Sequence, residues 1–120
     1  ARRFMQEVYH KTDEELFRTA LLLKESYKKG RVSEGVIGTA DSWNCQVDRV
    51  LFLRDFYGTA VEEMEGDAVA QICRTYDVPF LAMRVISNTV FAGDVDWDLA
   101  VGAALQEYVL AVAEAYMKKR

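Results

Sequence analysis

The sequence predicts an α/β fold built around parallel strands. Short apolar segments with strand character alternate with amphipathic segments of helical spacing. Polar and acidic residues follow the predicted strands, and in open α/β sheets the ligand crevice lies at the carboxyl ends of strands. With 120 residues, 51% of them apolar, and a single proline, the chain is predicted to be one compact domain or part of one.

Composition argues against several functional classes. The net charge of −4, with lysine and arginine spread among carboxylates, disfavours nucleic acid as a partner. We expect a soluble cytoplasmic protein, since no signal peptide is visible and no apolar run reaches the roughly 20 residues needed to span a bilayer. Cys45 and Cys73 lack metal-ligand spacing and are predicted to be reduced packing residues. No metal or organic cofactor is expected, and the single histidine, His10, is predicted to lie on the surface.

The first half of the chain predicts two helices and two strands. Thr12 and Glu15 form a capping-box pattern at the start of a helix that ends near Gly30. A strand is predicted over residues 34–40, a polar loop over 41–44, a helix over 46–57 that Gly58 terminates, and a short strand over 59–61. The predicted inner face of the second helix is Val47, Val50, Leu51 and Phe56.

The second half predicts helix, strand and helix. A helix begins at Asp67, with Ala68, Val69, Ile72, Cys73 and Tyr76 on its apolar face. The nearly unbroken apolar run 78–86 is typical of a central parallel strand. After a loop over 87–95, Asp94 or Asp96 is expected to cap a long final helix. Its predicted inner face is Trp97, Val101, Ala104, Leu105, Tyr108, Val112 and Tyr116.

The predicted sheet is incomplete. A central parallel strand needs neighbours on both edges and helices on both faces, yet the sequence offers about three strands where sheets typically have about five or six. We therefore expect another chain, or a missing amino-terminal segment, to supply the remaining strands.

Three motifs carry a resemblance to a known family. They are residues 35–43 (Gly-Val-Ile-Gly-Thr-Ala-Asp-Ser-Trp), residues 60–66 (Ala-Val-Glu-Glu-Met-Glu-Gly), and residues 78–80 together with 84–88 (Val-Pro-Phe and Arg-Val-Ile-Ser-Asn). In order and spacing they resemble the carboxyl-terminal half of the purine nucleoside phosphorylase and nucleosidase superfamily, and in particular the methylthioadenosine/S-adenosylhomocysteine nucleosidases. The resemblance implies a three-layer α/β/α sandwich, of which residues 1–120 are the carboxyl-terminal portion of one domain.

The resemblance also implies roles for individual residues around a purine nucleoside. Trp43 stands where the family has an aromatic that stacks on the purine, and the backbone of Asn44 would meet the base edge. Met64 would pack against the sugar, and Glu65 would accept hydrogen bonds from the ribose 2′- and 3′-hydroxyls. Glu63 occupies the neighbouring acidic position, while the additional Glu62 departs from the usual Val-Glu-Met-Glu pattern.

Asn88 is the main departure from the nucleosidases, which have at this position an aspartic acid that protonates N7 of the leaving purine. General acid catalysis is worth about two to four orders of magnitude in rate, and an asparagine can donate a hydrogen bond but cannot deliver a proton. Ser87 would support the side chain of this residue. The trimeric purine nucleoside phosphorylases are similar in using an asparagine for 6-oxopurines. Asn88 therefore indicates either a shifted base preference or an engineered or naturally weakened enzyme.

Arg84 and Asp41 are predicted to support this site. Arg84 is a lone charge in an apolar run, so it should be buried against a carboxylate, with Glu63 or Glu65 as the partner. That pair is either a purely structural ion pair or one that orients Glu65 towards the ribose. Asp41 is predicted to hold its loop through backbone hydrogen bonds. Without the resemblance, Glu65 could be a carboxylate that favours a helix N-terminus, and Trp43 a core or interface aromatic.

The function implied is hydrolysis of the N-ribosidic bond of a purine nucleoside such as methylthioadenosine or S-adenosylhomocysteine. The alternatives are a phosphorolytic purine nucleoside phosphorylase and a non-catalytic nucleoside-binding or storage relative, which Asn88 would suit. The expected partners are the nucleoside, a complementary amino-terminal chain or segment and a second copy of the protein, with a dimer favoured among homo-oligomers. Neither a nucleic acid nor a membrane partner is expected.

Overall fold

The computed structural model describes residues 9–40, 46–89, 93–94 and 99–120. Helices alternate with strands along the first part of the chain, and a long helix ends it. The elements are α1 Glu14–Leu22, a 3₁₀ turn Lys24–Ser26, β1 Val36–Thr39, α2 Val47–Tyr57, β2 Thr59–Glu63, α3 Gly66–Thr75, β3 Asn88–Thr89, β4 Gly93–Asp94 and α4 Leu99–Lys118. Strands β1 and β2 are parallel and α2 lies between them in sequence, which confirms the predicted α/β class.

The β1–β2 ladder brings the carboxyl ends of both strands together. Gly38 pairs with Glu62 and Thr39 pairs with Glu63, after a register irregularity between Val36 and Ile37. A Cβ at Gly38 would lie 3.0 Å from Thr59 Cγ2. The small-residue segment therefore lets β1 approach β2 closely, and it places the Thr39 hydroxyl beside the Glu63 carboxylate.

Helix α1 starts one residue later than predicted and ends earlier. Asp13 is its N-cap, and the Asp13 carboxylate accepts a hydrogen bond of 2.9 Å from Leu16 N. Asp13 takes the role predicted for Thr12 because its side chain reaches the free N–H groups of the first turn. At the other end, Leu23 N contacts both Thr19 O and Ala20 O, so the helix tightens into the 3₁₀ turn instead of continuing towards Gly30.

Helices α2 and α3 form where predicted, but apart from Ala70 their apolar side chains are not buried. Gly58 terminates α2 in a left-handed conformation with φ of 71°, as the sequence indicated. Phe56, predicted to face inward, is 60% exposed, and Val47 is also exposed. On α3, Ile72 is 60% exposed and Val69 is exposed, as is Tyr76 at the C-cap of the helix. These predictions were wrong because, in the described part of the chain, no second layer covers those faces.

The predicted central strand over residues 78–86 was wrong. The described structure contains no strand there, although Val78 N donates to Cys73 O and Asp13 N donates to Phe80 O. A strand requires a neighbour for its ladder, and the two paired strands of this sheet, β1 and β2, pair with each other. The predicted loop after this run instead holds a short antiparallel pair, in which Asn88 lies opposite Asp94.

The core lies between α1 and α4. Ala20, Tyr108 and Val112 are buried together, and the Tyr108 hydroxyl donates a hydrogen bond of 2.6 Å to the Ala20 carbonyl. The buried residues of α4 confirm the predicted inner face: Ala104, Tyr108, Val112 and Tyr116. Trp97 and Asp96 lie outside the described residues. Within the described ranges, no helix combines the length and apolar character needed to cross a membrane.

Candidate active site

The candidate site is centred on the acidic turn, defined here as residues Glu63 to Gly66, between β2 and α3. The Glu63 side chain is 10% exposed, and its Oε2 accepts hydrogen bonds of 2.7 Å from both Glu65 N and Gly66 N. Its Oε1 accepts from the Thr39 hydroxyl. Glu63 thereby satisfies the free N–H groups at the start of α3, where a negative charge is also favoured by the helix dipole.

The environment of Glu63 keeps its carboxylate ionised. Burial raises the pKa of the Glu63 carboxyl, but hydrogen bonds from Thr39, Glu65 and Gly66 and the charge of Arg84 outweigh this effect. The pKa therefore lies below its ordinary value of 4.5. Since the charge and its acceptor oxygens are committed to these internal contacts, Glu63 acts on the conformation of the turn.

Arg84 pairs with the acidic turn, as the sequence predicted, but it is not buried. Its Nη2 lies 2.8 Å from Glu63 Oε2 and 3.9 Å from Glu65 Oε2. The Arg84 side chain is 39% exposed, because the run that carries it lies outside any sheet in the described structure. Its position relative to the two carboxylates makes Glu63 the ion-pair partner and leaves Glu65 at the edge of the contact.

Glu65 is the accessible carboxylate of the turn. Its side chain is 72% exposed, and its Oε2 accepts a long hydrogen bond of 3.3 Å from Met64 N. Met64 beside it is 47% exposed. A carboxylate on a hydrogen-bonded turn and open to solvent can accept hydrogen bonds from neutral hydroxyl groups of a ligand.

An open groove of about 1330 Å³ runs beside the turn. Of the predicted site residues, Glu63 and Arg84 line this groove, whereas Met64, Glu65, Ser87 and Asn88 are not among its lining residues. The last two contact each other, with Asn88 Nδ2 donating to Ser87 Oγ at 3.3 Å. The structure thus brings Glu63, Glu65 and Arg84 together, and it places the Ser87–Asn88 pair at the start of β3, which pairs with β4 in a separate sheet. The remaining predicted residues, Asp41, Trp43 and Asn44, lie outside the described residues.

Three residues of this region were missed by the sequence analysis. The Asp67 backbone N–H donates to the Thr39 hydroxyl at 3.0 Å, and Asp67 Oδ1 lies 2.7 Å from His10 Nε2. His10 is 16% exposed, so the prediction of a surface histidine was wrong. Thr39 could have been found from its place at a strand end, but no pattern in the sequence connects His10 to Asp67.

The described residues contain no group of three or more histidine, cysteine, aspartate or glutamate side chains placed to hold a metal ion. Cys73 is a free, partly buried thiol. Cys45 falls outside the described part of the chain.

Comparison with known proteins places this chain in a family. The model of the phosphorylase superfamily matches residues 3–118, and the chain belongs to that superfamily. Its fold is accordingly an α/β fold of the nucleoside phosphorylase type.

The chain is similar to 5'-methylthioadenosine/S-adenosylhomocysteine nucleosidases from Bacillus thuringiensis (strain Al Hakam), Bacillus cereus (strain AH187) and Bacillus anthracis (strain CDC 684 / NRRL 3495). Each is 38% identical over 79 residues, which are 65% of this chain and 34% of the relative. The match thus covers about a third of the length of these relatives.

Proposed function

We propose that the protein hydrolyses the N-ribosidic bond of a purine nucleoside of the methylthioadenosine or S-adenosylhomocysteine type and releases the base. The observation that carries this proposal is the acidic turn. Glu63 is fixed by Thr39, Arg84 and two backbone N–H groups, while the neighbouring Glu65 stays open to solvent. A preorganised carboxylate of this kind suits the 2′- and 3′-hydroxyls of a ribose.

Within this proposal each predicted residue has one role. Glu65 accepts the ribose hydroxyls, Met64 packs against the sugar, and Arg84 with Glu63 holds the turn. Trp43 stacks on the purine, while the backbone of Asn44 meets its edge. The loop that carries these last two residues is held by Asp41.

Asn88 meets the purine and is supported by Ser87. Charge builds on the departing base as the bond breaks, and the Asn88 amide can donate a hydrogen bond to N7 or O6 without transferring a proton. We therefore propose that hydrolysis is slow. A nucleoside-binding relative without catalysis is the second candidate, and the amide at this position is the observation that favours it.

A substitution at Asn88 tests the assignment. Asn88→Asp should raise the release of adenine from methylthioadenosine by about two to four orders of magnitude, because it restores a group that can protonate N7. Asn88→Ala is the matched control and should not raise the rate. Equal turnover of the wild type and Asn88→Asp would place the acid elsewhere. Measurement with and without inorganic phosphate distinguishes hydrolysis from phosphorolysis.

We also propose that another chain or segment completes the sheet, and that the complete protein is a homo-oligomer, most simply a dimer. The unpaired run 78–86 and the exposed apolar faces of α2 and α3 support this proposal. The mass of the intact particle, measured under native conditions, tests it.

A further inference from the structure

His10 lies at the end of a hydrogen-bond chain that leads to the acidic turn. His10 Nε2 lies 2.7 Å from Asp67 Oδ1, and Asp67 N donates to the Thr39 hydroxyl at 3.0 Å. The Thr39 hydroxyl in turn donates to Glu63. Each contact joins a different segment, so the chain ties the segment before α1 to the first turn of α3, to β1 and to β2.

The acidic turn depends on this chain for its position. Asp67 directly follows Gly66, whose N–H donates to Glu63, so moving the first turn of α3 moves the last residue of the acidic turn. The Asp67 carboxylate is held from two sides, by His10 on Oδ1 and by Gln71 Nε2 on Oδ2 at 2.7 Å. Gln71 belongs to the same helix, whereas His10 provides an anchor from outside it.

The imidazole is committed to this contact. The His10 side chain is 16% exposed, and its Nδ1 is buried without a hydrogen-bond partner in the part of the chain that the structure describes. The pair with Asp67 is therefore the polar contact that orients the ring there. Burying a polar ring costs free energy unless the ring is hydrogen-bonded. The contact with Asp67 therefore strongly favours the observed position of the segment that carries His10.

We infer that His10 is a positioning residue for ribose recognition, acting through Asp67, Thr39 and Glu63 to fix the carboxylate of Glu65. This inference rests on the proposed function, since it assigns His10 to the sugar-binding side of that site. His10 touches neither the sugar nor the base. Its effect is on how selectively Glu65 binds the ribose hydroxyls.

The test compares the binding of methylthioadenosine with that of its 2′-deoxy analogue by calorimetry, using the intact protein. His10→Ala should weaken binding of the ribonucleoside by about fivefold or more, as is usual within one hydrogen-bond network. It should weaken binding of the 2′-deoxy analogue by a clearly smaller factor, because that ligand offers Glu65 only the 3′-hydroxyl. His10→Gln keeps an amide donor for Asp67 and should recover most of the loss. A purely structural role would instead weaken both ligands alike and show no recovery with glutamine.

A ligand-independent measurement accompanies this test. Hydrogen exchange at the amides of Gly66 and Asp67 should quicken in His10→Ala and in Asp67→Asn, but not in Asp48→Asn, which removes the corresponding first-turn carboxylate of α2. Unchanged exchange in His10→Ala would overturn the inference whatever the ligand data show.

Glu65→Gln separates the two proposals. If Glu65→Gln abolishes discrimination between the two ligands and His10→Ala preserves it, the inference about His10 falls and the proposed function stands. If the wild type binds neither nucleoside, the proposed function falls, and with it the role of His10 in ribose recognition.

Discussion

The Glu63 carboxylate accepts three hydrogen bonds and forms an ion pair with Arg84. Removing its charge should therefore lower the free energy of unfolding. Glu63→Gln keeps the shape but places an amide NH2 where donors already converge. We expect unfolding free energy to fall by about 2 kcal/mol, the range for losing charge-assisted hydrogen bonds of a buried group. Urea unfolding measures this change in free energy, provided that the m-value is the same for the wild type and the variant. Glu114→Gln, an exposed change of the same charge on α4, should stay within about 0.5 kcal/mol.

The destabilisation caused by Glu63→Gln should depend on pH. The pKa of Glu63 is lower in the folded state than its ordinary value of 4.5, so its stabilising effect is full above that value. The effect is lost as the pH falls through the folded-state pKa. The stability difference between wild type and Glu63→Gln should thus narrow as the pH decreases from 6 to 3. A difference that stays constant over this interval would show that the ionised carboxylate is not the stabilising species.

At the scale of elements, the contact between α1 and α4 rests on Tyr108. Its ring is 3% exposed and its hydroxyl donates to the Ala20 carbonyl. Tyr108→Phe should lower the unfolding free energy by about 1 kcal/mol, the net value of one hydrogen bond, while Tyr76→Phe at a 72% exposed site should have little effect.

Unfolding at alkaline pH gives an independent test of the burial of the Tyr108 hydroxyl. Burial raises the pKa of Tyr108 above its ordinary value of 10.0. The wild type should therefore lose stability as the pH rises past 10.0 towards the folded-state pKa, because the unfolded state releases this proton first. Tyr108→Phe should lack this loss of stability, because it has no hydroxyl to titrate. Parallel alkaline transitions in both proteins would contradict the assignment.

The elements that the sequence predicted well are those fixed by local interactions. Gly58 ends α2 because glycine adopts φ of 71° without strain, and the spacing of Tyr108, Val112 and Tyr116 sets the buried face of α4. The run 78–86 has strand composition, but its ladder depends on a partner that composition cannot specify. The alternation of helices and strands predicted the α/β class and the parallel pairing of β1 with β2. The sequence did not show which strand, if any, pairs with the run 78–86.

Part of the candidate site was equally accessible. A lone arginine in an apolar run requires a carboxylate, which predicted a contact between Arg84 and either Glu63 or Glu65. The structure makes Glu63 the nearer partner. The approach of His10 to Asp67 joins segments 57 positions apart in the chain and has no local signature. Long-range contacts of this kind form only when the chain packs into its fold. The spacing of residues in the sequence therefore does not predict them.

At the scale of the whole molecule, the described residues form an incomplete core. The buried apolar side chains are small or belong to α4, and large residues such as Phe52 remain exposed at 55%. The radius of gyration is 15.4 Å, against about 14 Å for a compact domain of this length. Exposed apolar faces on this scale are typical of surfaces that pack against further structure. We therefore expect those faces to become buried when a further chain or segment completes the sheet, as proposed above.

Hydrogen exchange tests the proposed completion of the sheet. In a polypeptide of residues 1–120 alone, the amides of residues 81–86 should exchange rapidly, because this run forms no strand in the described structure. In the intact particle the same amides should exchange slower by about two orders of magnitude or more, as expected when a run becomes a central strand. The amides of 109–115 in α4 provide the reference, since they are hydrogen-bonded within the helix in either case. Equally fast exchange of 81–86 in the particle would mean that no partner strand pairs there. The exposed faces of α2 and α3 would then need a different explanation, because a helix layer packs on a parallel sheet only where the sheet exists.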